Sequence, residues 1–391
     1  MPFLRGSLGF ERFSVAGFDD SAFGDEHIEI LAKHAAGKNQ SGSTENVHIG
    51  FLGGNHLFDQ DFDLSKNVIN DAVHCSVRID TNQIPAAIRN AWLQMELAGL
   101  AKDSEDGTVS KSARKEAKEA VEQRCEVEAA SGKYRKMQQF PILWDVEQEM
   151  LYFGGSVGTG CGHCLDLLER CFDVEFRRIG AGAIAEAWAI EEERFAELDD
   201  LRPVSFISNA HQLEHVWSNE HSQKPDFLGN EFLMWLWWTL ENESDTILLS
   251  DDSEVTIMLS KTLTLECPRG ESGKETITSE SPVALPETML AIRSGKLPRK
   301  TGMTMISDGR QFDLVLQAET FGISGAKIHL DDDEDFDDND RIDAIRLLSE
   351  STDLLFHVFC DRRTSSGWKK EQAEISKWIN ANKKSQSKAA A

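Results

Sequence analysis

Residues 110–131, "SKSARKEAKEAVEQRCEVEAAS", form the clearest helical pattern in the chain and decide how the sequence around them is interpreted. Ser110 or Ser112 can cap the start of this helix, and Gly132 can end it. At about 100° per residue, one side of the helix is apolar. That side comprises Ala113, Ala117, Ala120 and Val121. The pattern predicts a long amphipathic helix with a narrow packing face.

Another side of the same helix is basic, and the residues that follow add further bases. The stripe comprises Lys111, Arg114, Lys115 and Lys118, and Glu116, Glu119, Glu122 and Glu126 lie beside it. After the helix, "GKYRKM" contributes Lys133, Arg135 and Lys136. The pattern supports two interpretations: a solvated helix with ion pairs one turn apart, or a basic finger that contacts phosphates.

Strand and helix patterns alternate on both sides of this helix. Alternating apolar residues predict strands in "VHIGFLGG", "HCSVRID", "FPILWDVEQEMLYF" and "RPVSFISN". A helix is predicted over "NQIPAAIRNAWLQMELAGL", opening near Pro85. "FLGNEFLMWLWWTLE", residues 227–241, is apolar all round, which predicts a buried helix whose tryptophans belong to the core. The predicted fold class is α+β, with mixed antiparallel sheets and long helices.

Composition limits the kinds of partner and compartment. The 391 residues carry a net charge of −26, and no apolar run approaches the length of a membrane span. The amino terminus lacks a secretory pattern, so a cytoplasmic protein is expected. Charge is unevenly spread, because residues 331–340 hold eight acids and no base, whereas 362–388 hold eight bases and two acids. Local patches therefore decide whether an anion can dock.

The stretch 158–171, "GTGCGHCLDLLERC", raises a different possibility. A reactive CxxC pair needs a helix N-terminus to stabilise a thiolate, and Cys161 and Cys164 precede a helical pattern. A thiol–disulfide oxidoreductase is therefore one alternative. A zinc site is another, with Cys161, His163, Cys164 and Cys171 as candidate ligands, although no second paired cluster closes it. Seven scattered cysteines do not form a disulfide framework.

Other enzyme signatures are absent from the sequence. "RGESGKET" lacks the spacing of a phosphate-binding loop, and neither a GxSxG nor a strand–GxGxxG–helix unit is present. No clustered carboxylates or histidines suggest a two-metal nuclease, which remains an alternative that predicts magnesium-dependent degradation of DNA. A protein-interaction scaffold is a further alternative, and it predicts no binding to DNA.

Four separated stretches, in order along the chain, resemble the RdgC family of recombination-associated proteins in its longer variant. They are "DFDLSKNVINDAVHCSVRIDTNQIP", "ARKEAKEAVEQRCEVEAASGKYRKMQQFPILWDVEQEMLYFG", "DFLGNEFLMWLWWTLENESDTI" and "LECPRGESGKETITSE". The similarity extends over roughly residues 45–380. The Lys/Glu-rich helix that leads into "PILWD" is its most telling part. CGHC, the acidic run and the basic tail have no counterpart in the family pattern.

The resemblance implies an α+β protein that dimerises into a closed ring around double-stranded DNA. Such proteins bind DNA with little sequence preference, restrain RecA-dependent strand exchange and have no known enzymatic activity. A homodimer associated with the nucleoid is therefore expected, without a cofactor, catalytic residue or metal and without membrane binding. An acidic exterior is compatible with such a ring, because only the inner face has to be basic.

The same resemblance places a helical basic finger at residues 89–140, with Tyr134 at the dimer interface, and a basic loop at the hole. The expected phosphate contacts are Arg114, Lys115, Lys118, Arg124, Lys133, Arg135, Lys136, Arg269 and Lys274. The remaining regions are an N-terminal α+β region at 1–88, a central α+β region at 141–330, an acidic linker at 331–340, C-terminal helices at 341–380 and a disordered tail at 381–391.

Overall fold

A computed structural model describes residues 3–38, 47–102, 109–207, 224–268, 273–329 and 337–389, and the side chains of these residues up to 381. Its strands are β1 Leu8–Ala16, β2 Val47–Leu52, β3 Val68–Ile69, β4 Ala72–Thr81, β5 Lys136–Asp145, β6 Met150–Phe153, β7 Glu175–Ile179, β8 Thr246–Leu248, β9 Glu254–Glu266, β10 Glu275–Ser279, β11 Leu297–Ser307, β12 Arg310–Gln317 and β13 Ile323–His329. Its α-helices are α1 Asp25–Lys33, α2 Leu64–Asn67, α3 Ala86–Lys102, α4 Lys111–Ala130, α5 Thr159–Phe172, α6 Ala181–Glu191, α7 Phe195–Asp199, α8 Phe227–Asn242, α9 Pro286–Arg293, α10 Asp338–Thr364 and α11 Trp368–Ala389. The predicted α+β class is confirmed.

The strands pair antiparallel in one sheet, with the order β10-β9-β11-β12-β13-β1-β6-β5-β4-β2. β3 pairs with β4, β7 with β1, and β8 with β9. β1 joins the two halves of the sheet. Its residues Leu8 and Phe10 pair with β13, whereas Glu11–Ser14 pair with β6. This one strand therefore couples the N-terminal and C-terminal parts of the chain.

The larger core lies against the C-terminal half of the sheet. Phe227–Thr239 of α8 are buried without interruption, which confirms the prediction of a buried helix. α8 lies between strands β9 and β11 on one side and helices α6, α10 and α11 on the other. Trp235 and Trp237 are fully buried, so they serve packing and do not form a surface on which bases could stack. No described helix is long and apolar enough to cross a bilayer.

The smaller core lies on the N-terminal half of the sheet. Helices α1 and α5 cover strands β2, β4, β5 and β6, and Trp144 is buried among Phe18, Phe23 and Phe172. α10 is tied to this half by arginines. Arg346 donates to Asp145 at 2.6 Å, and Arg12 of β1 donates to Asp353 of α10 at 2.6 Å.

Three expectations from sequence change in the structure. Residues 202–207 form no strand, because buried side chains bind their backbone: Glu231 accepts from the Val204 amide at 2.8 Å and Arg363 donates to the Arg202 carbonyl at 2.9 Å. Residues 381–389, predicted to be disordered, continue α11, since Ala, Lys and Gln favour helix. Of the predicted acidic linker, 331–336 lie outside the described residues, whereas Asp337 caps α10 and 338–340 begin it.

Candidate nucleic-acid interface

The two helices α3 and α4 form a hairpin inserted between neighbouring strands β4 and β5. Thr81, the last residue of β4, pairs directly with Lys136, the first residue of β5. Each helix packs chiefly against the other. With 20 residues, α4 is about 30 Å long. The insertion is therefore a helical hairpin at the end of the sheet where Thr81 pairs with Lys136, and we call residues 82–135 the finger.

A small core of its own holds the finger together. Ile84, Trp92, Val121, Cys125 and Ala129 form a cluster separate from the two large cores. Ser110 caps α4 by accepting from the Ala113 amide at 3.1 Å, as predicted. The buried stripe of α4 differs in part from the predicted one, because Ala113 is half-buried and Ala120 is exposed. The buried residues of α4 are Ala117, Val121, Cys125 and Ala129, which recur every four positions.

Bases on the first half of α4 are open to solvent. Arg114, Lys115 and Lys118 are exposed, and Lys115 reaches Glu119 only at 3.6 Å across a solvated surface. Among the described residues, Arg114 and Lys118 have no ion-pair partner. Such surface pairs contribute little to stability. These three side chains are free to contact an anion.

The order of charges along α4 runs against the helix dipole. Its bases Lys111, Arg114, Lys115 and Lys118 occupy the first two turns, where the helix end is partly positive. The last turns carry Glu126 and Glu128, where the helix end is partly negative. An arrangement for stability alone would reverse this order. Helix stability alone therefore does not explain the placement of these bases.

The bases nearer the root of the finger are engaged by neighbours. The Arg124 guanidinium lies over the Trp92 ring at 4.3 Å. Lys133 pairs with Glu128 at 3.4 Å, and Lys136 is exposed. Arg135 donates to Asp80, a carboxylate that is 1% exposed and also lies 3.0 Å from Arg78. The charge of Arg135 is already balanced by Asp80. Arg135 therefore anchors the finger to β4 and is less available to bind a phosphate group.

Apolar surface remains uncovered on the finger. Trp92 is the sole buried residue within α3, whereas Met95 is 65% exposed and Val127 of α4 is 71% exposed. Tyr134 is half-buried at the root, where it packs against the finger core and under Lys133. Met95 and Val127 are thus the large exposed apolar side chains within the described part of the finger.

Lys274 lies far from the finger. It is exposed immediately before β10, at one edge of the sheet, while the finger leaves β4 and β5 near the other edge. Seven strand spacings separate β10 from β5, which is of the order of 30 Å along the sheet. Arg269 lies outside the described residues. Among the described predicted bases, Lys274 is therefore separate from those of the finger, and any ligand that touches both must be long.

The CGHC pair lies at the start of α5 but is closed to solvent. Cys161 is 2% exposed and Cys164 is fully buried, and both are free thiols in the smaller core. Desolvation raises the pKa of Cys161 to about 11 and also raises the pKa of Cys164. A reactive CxxC pair needs the opposite, an accessible thiol whose pKa is lowered. The environment argues against a thiol–disulfide enzyme.

We expect Cys161 and Cys164 to resist alkylation in the native protein. With iodoacetamide near pH 7, mass spectrometry should find both unmodified, because only the thiolate reacts. As the pH rises toward 11, labelling of Cys161 should increase, since its thiolate is populated only there. In guanidinium chloride all seven cysteines should react. Rapid native labelling of Cys161 at pH 7 would restore the redox alternative.

The described residues do not assemble a set of metal ligands. Within them, no three His, Cys, Asp or Glu side chains are grouped to hold a metal ion. The zinc set proposed from sequence, with Cys161, His163, Cys164 and Cys171, is therefore not brought together. A two-metal nuclease would need several carboxylates around ions about 4 Å apart, and such a group is likewise not found there.

No protein-family model matches this chain, and no curated protein matches it.

Proposed function

We propose that this protein is a non-enzymatic, DNA-binding homodimer whose finger contacts the phosphate backbone without reading sequence. The observation that carries the proposal is the exposed base cluster on the first two turns of α4, placed against the helix dipole. Contacts made by lysine and arginine to phosphate position a protein on DNA but carry no sequence information. The ligand is double-stranded DNA, and single strands are a further possible ligand of the same chemistry.

Assembly into a ring is part of the proposal. The uncovered apolar surface around Met95 and Val127 supports contact between two fingers. Lys274 lies at the far edge of the sheet. In a closed dimer, duplex DNA could run between Lys274 and the bases of the finger while the acidic remainder of a chain of charge −26 faces outward. The ring itself is carried over from the RdgC resemblance.

The cellular role follows from the resemblance alone. We infer that the protein is associated with the nucleoid and restrains RecA-dependent recombination by occupying DNA. A strand-exchange assay with RecA recombinase and this protein tests that role, and a protein-interaction scaffold would leave strand exchange unaffected.

Neutralising Arg114 and Lys118 together should flatten the salt dependence of DNA binding. The double variant R114Q/K118Q removes two bases that form no ion pair with any described residue, so folding should be unaffected. Each lost phosphate contact lowers the slope of log K against log salt by about 0.9. We therefore expect a reduction of about 2 in fluorescence anisotropy titrations on duplex DNA.

The matched control is K369Q/K370Q, which removes the same charge from exposed lysines of α11. Its slope should equal that of the wild type. A finger variant with an unchanged slope would show that the finger is a solvated helix and not a DNA contact.

A further inference from the structure

One face of the C-terminal half of the sheet is open to solvent. Paired residues of an antiparallel sheet point to the same side, so the register defines this face across five strands. Met258 pairs with Thr304, Thr304 with Asp313 and Asp313 with Lys327. We call it the outer face: Thr276 and Thr278 of β10; Thr256, Met258, Lys261, Thr262 and Thr264 of β9; Lys300, Gly302, Thr304 and Ile306 of β11; Gln311, Asp313, Val315 and Gln317 of β12; Ser324, Lys327 and His329 of β13.

The opposite face of the same strands is covered by the larger core. There, alternate residues such as Ile257, Met305 and Phe312 are buried. α8 contacts β9 and β11, and Ser351 of α10 lies 2.8 Å from Ser307 on that covered side. On the outer face, by contrast, Met258 is 62% exposed and Ile306 is 40% exposed. The outer face is thus unpartnered within the described part of the chain.

The charge of the outer face is the reverse of the charge of the protein. Acids outnumber bases 67 to 41 in the whole chain. Glu254 shares the outer face with Thr256 and Met258, because the three alternate along β9 with buried Val255 and Ile257. On this face the bases Lys261, Lys300, Lys327 and His329 therefore stand against two acids, Glu254 and Asp313. Asp313 is already occupied, since it accepts from Thr304 at 2.7 Å, from His329 at 3.1 Å and from Lys261. A basic face on a strongly acidic protein indicates an anionic partner.

A distortion of β9 places Lys261 on this face. The pairing of β9 with β11 slips between Thr301 and Met303, and Lys261 takes a left-handed backbone conformation with φ of 65°. Gly302 permits the bulge, because a Cβ there would lie 2.2 Å from the Ser260 carbonyl oxygen. Bulges of this kind redirect a side chain. Here the effect is to present the Lys261 ammonium, whose side chain is 60% exposed, beside Asp313.

We propose that the outer face is a second contact surface for the phosphate backbone of duplex DNA. Lys274 directly precedes β10, the strand at the edge of the outer face. The outer face therefore lies next to Lys274, the candidate phosphate contact that is distant from the finger. Lys300 lies two strands from β10 and Lys327 four strands from it. Their partners on β12, Gln317 and Asp313, lie four residues apart, so the two backbone positions are roughly 16 Å apart: about 10 Å across the strands and about 13 Å along them. Threonine hydroxyls between them are donors of the kind that bind phosphate oxygens.

This surface rests on the proposed function, because it supplies the second wall that a DNA duplex would need opposite the finger. It also adds a contact that spans five strands, with Gly302 paired to Val315 near its centre. Met258 and Ile306 extend this contact with apolar side chains that can lie against deoxyribose.

The test is the triple variant K261Q/K300Q/K327Q, compared with K369Q/K370Q/K377Q on α11, which removes the same charge from exposed positions of a helix. Anisotropy titrations on a duplex should give a salt slope lower by about 2 to 3 for the face variant and an unchanged slope for the control. Circular dichroism checks that both variants are folded. If the face variant fails to fold, K327Q alone, at an exposed position, should lower the slope by about 1.

A change in the opposite direction makes the test specific. Asp313→Asn removes one of the two acids and releases Lys261 and His329, so binding should tighten and the slope should rise by about 1. An unchanged slope in the face variants, with R114Q/K118Q still impaired, would overturn this inference and leave the proposed function standing. An equal loss in the α11 control would also overturn it. Failure of the wild type to bind would overturn both.

Discussion

Replacing residues 83–134 by an Asn-Gly turn should give a folded protein that has lost most of its affinity for duplex DNA. Thr81 and Lys136 are directly paired, so Asn82 and Arg135 are positioned to flank a two-residue hairpin turn. The design retains Arg135, the partner of buried Asp80. It removes five candidate phosphate contacts: Arg114, Lys115, Lys118, Arg124 and Lys133. The salt slope should fall by about 4 to 5.

The structure predicts that this excision leaves the body intact. The finger has its own core around Trp92 and Val121, separate from the two cores of the sheet. Thermal unfolding and circular dichroism should therefore be close to those of the whole chain. Sedimentation should also show a shift toward monomer, because the uncovered apolar surface at Met95 is removed. Unchanged DNA affinity in a folded excision variant would contradict the finger's role.

Arg363→Met should destabilise the protein by about 3–5 kcal/mol, because Glu231 stays buried without its partner and must either keep its charge in the core or take up a proton. The two side chains are 5% and 1% exposed, and Arg363 Nε donates to Glu231 at 2.7 Å. Burial raises the pKa of Glu231, as expected for a carboxylate removed from water. Arg363 also donates to the Arg202 carbonyl at 2.9 Å, so its loss loosens residues 202–207 as well.

Urea unfolding followed by tryptophan fluorescence measures this loss. The control is Lys370→Gln, which breaks a pair with Glu374 at 3.8 Å whose lysine is 86% exposed. It should change the free energy of unfolding by no more than about 0.5 kcal/mol. A loss below about 1 kcal/mol for Arg363→Met would show that apolar packing alone holds α10 on α8.

Elements with strong local signals could be predicted from the sequence. The cap at Ser110, the Lys/Glu pattern and Gly132 define α4 within one residue of the structure. The uniform apolarity of 227–241 defines buried α8. Strands β2 and β4 follow from alternation, and all of these signals lie within the element itself. The α+β class follows from them.

Features set by distant residues could not be predicted. The pairing of Leu8 and Phe10 with β13, more than 300 positions away, has no local signal, so the joining of the two sheet halves was not anticipated. The sequence of residues 202–207 predicted a strand, but their backbone forms hydrogen bonds with the side chains of Glu231 and Arg363. Register also decides that Lys300 and Lys327 share a face. In the sequence they are unrelated lysines.

The exposure of the candidate bases could be predicted from the sequence, but their contacts with neighbouring residues could not. Arg114, Lys115 and Lys118 are exposed as a helical stripe requires. In the sequence Arg135 was equivalent to them as a candidate phosphate contact. In the structure its charge is balanced by Asp80, which lies 55 positions earlier. The CGHC motif has the spacing of a reactive pair, but burial against β4 raises both thiol pKa values. Motif spacing does not report desolvation, which decides the chemistry of such a pair.

The most direct test of the account is the binding of wild-type protein to linear and closed-circular duplex DNA as salt is raised from about 50 to 200 mM. A ring that encloses DNA through phosphate contacts predicts that affinity falls steeply and linearly on a log–log plot. It also predicts slower release from circles than from linear duplexes of equal length, with the DNA left intact. No binding at about 50 mM salt would contradict the account.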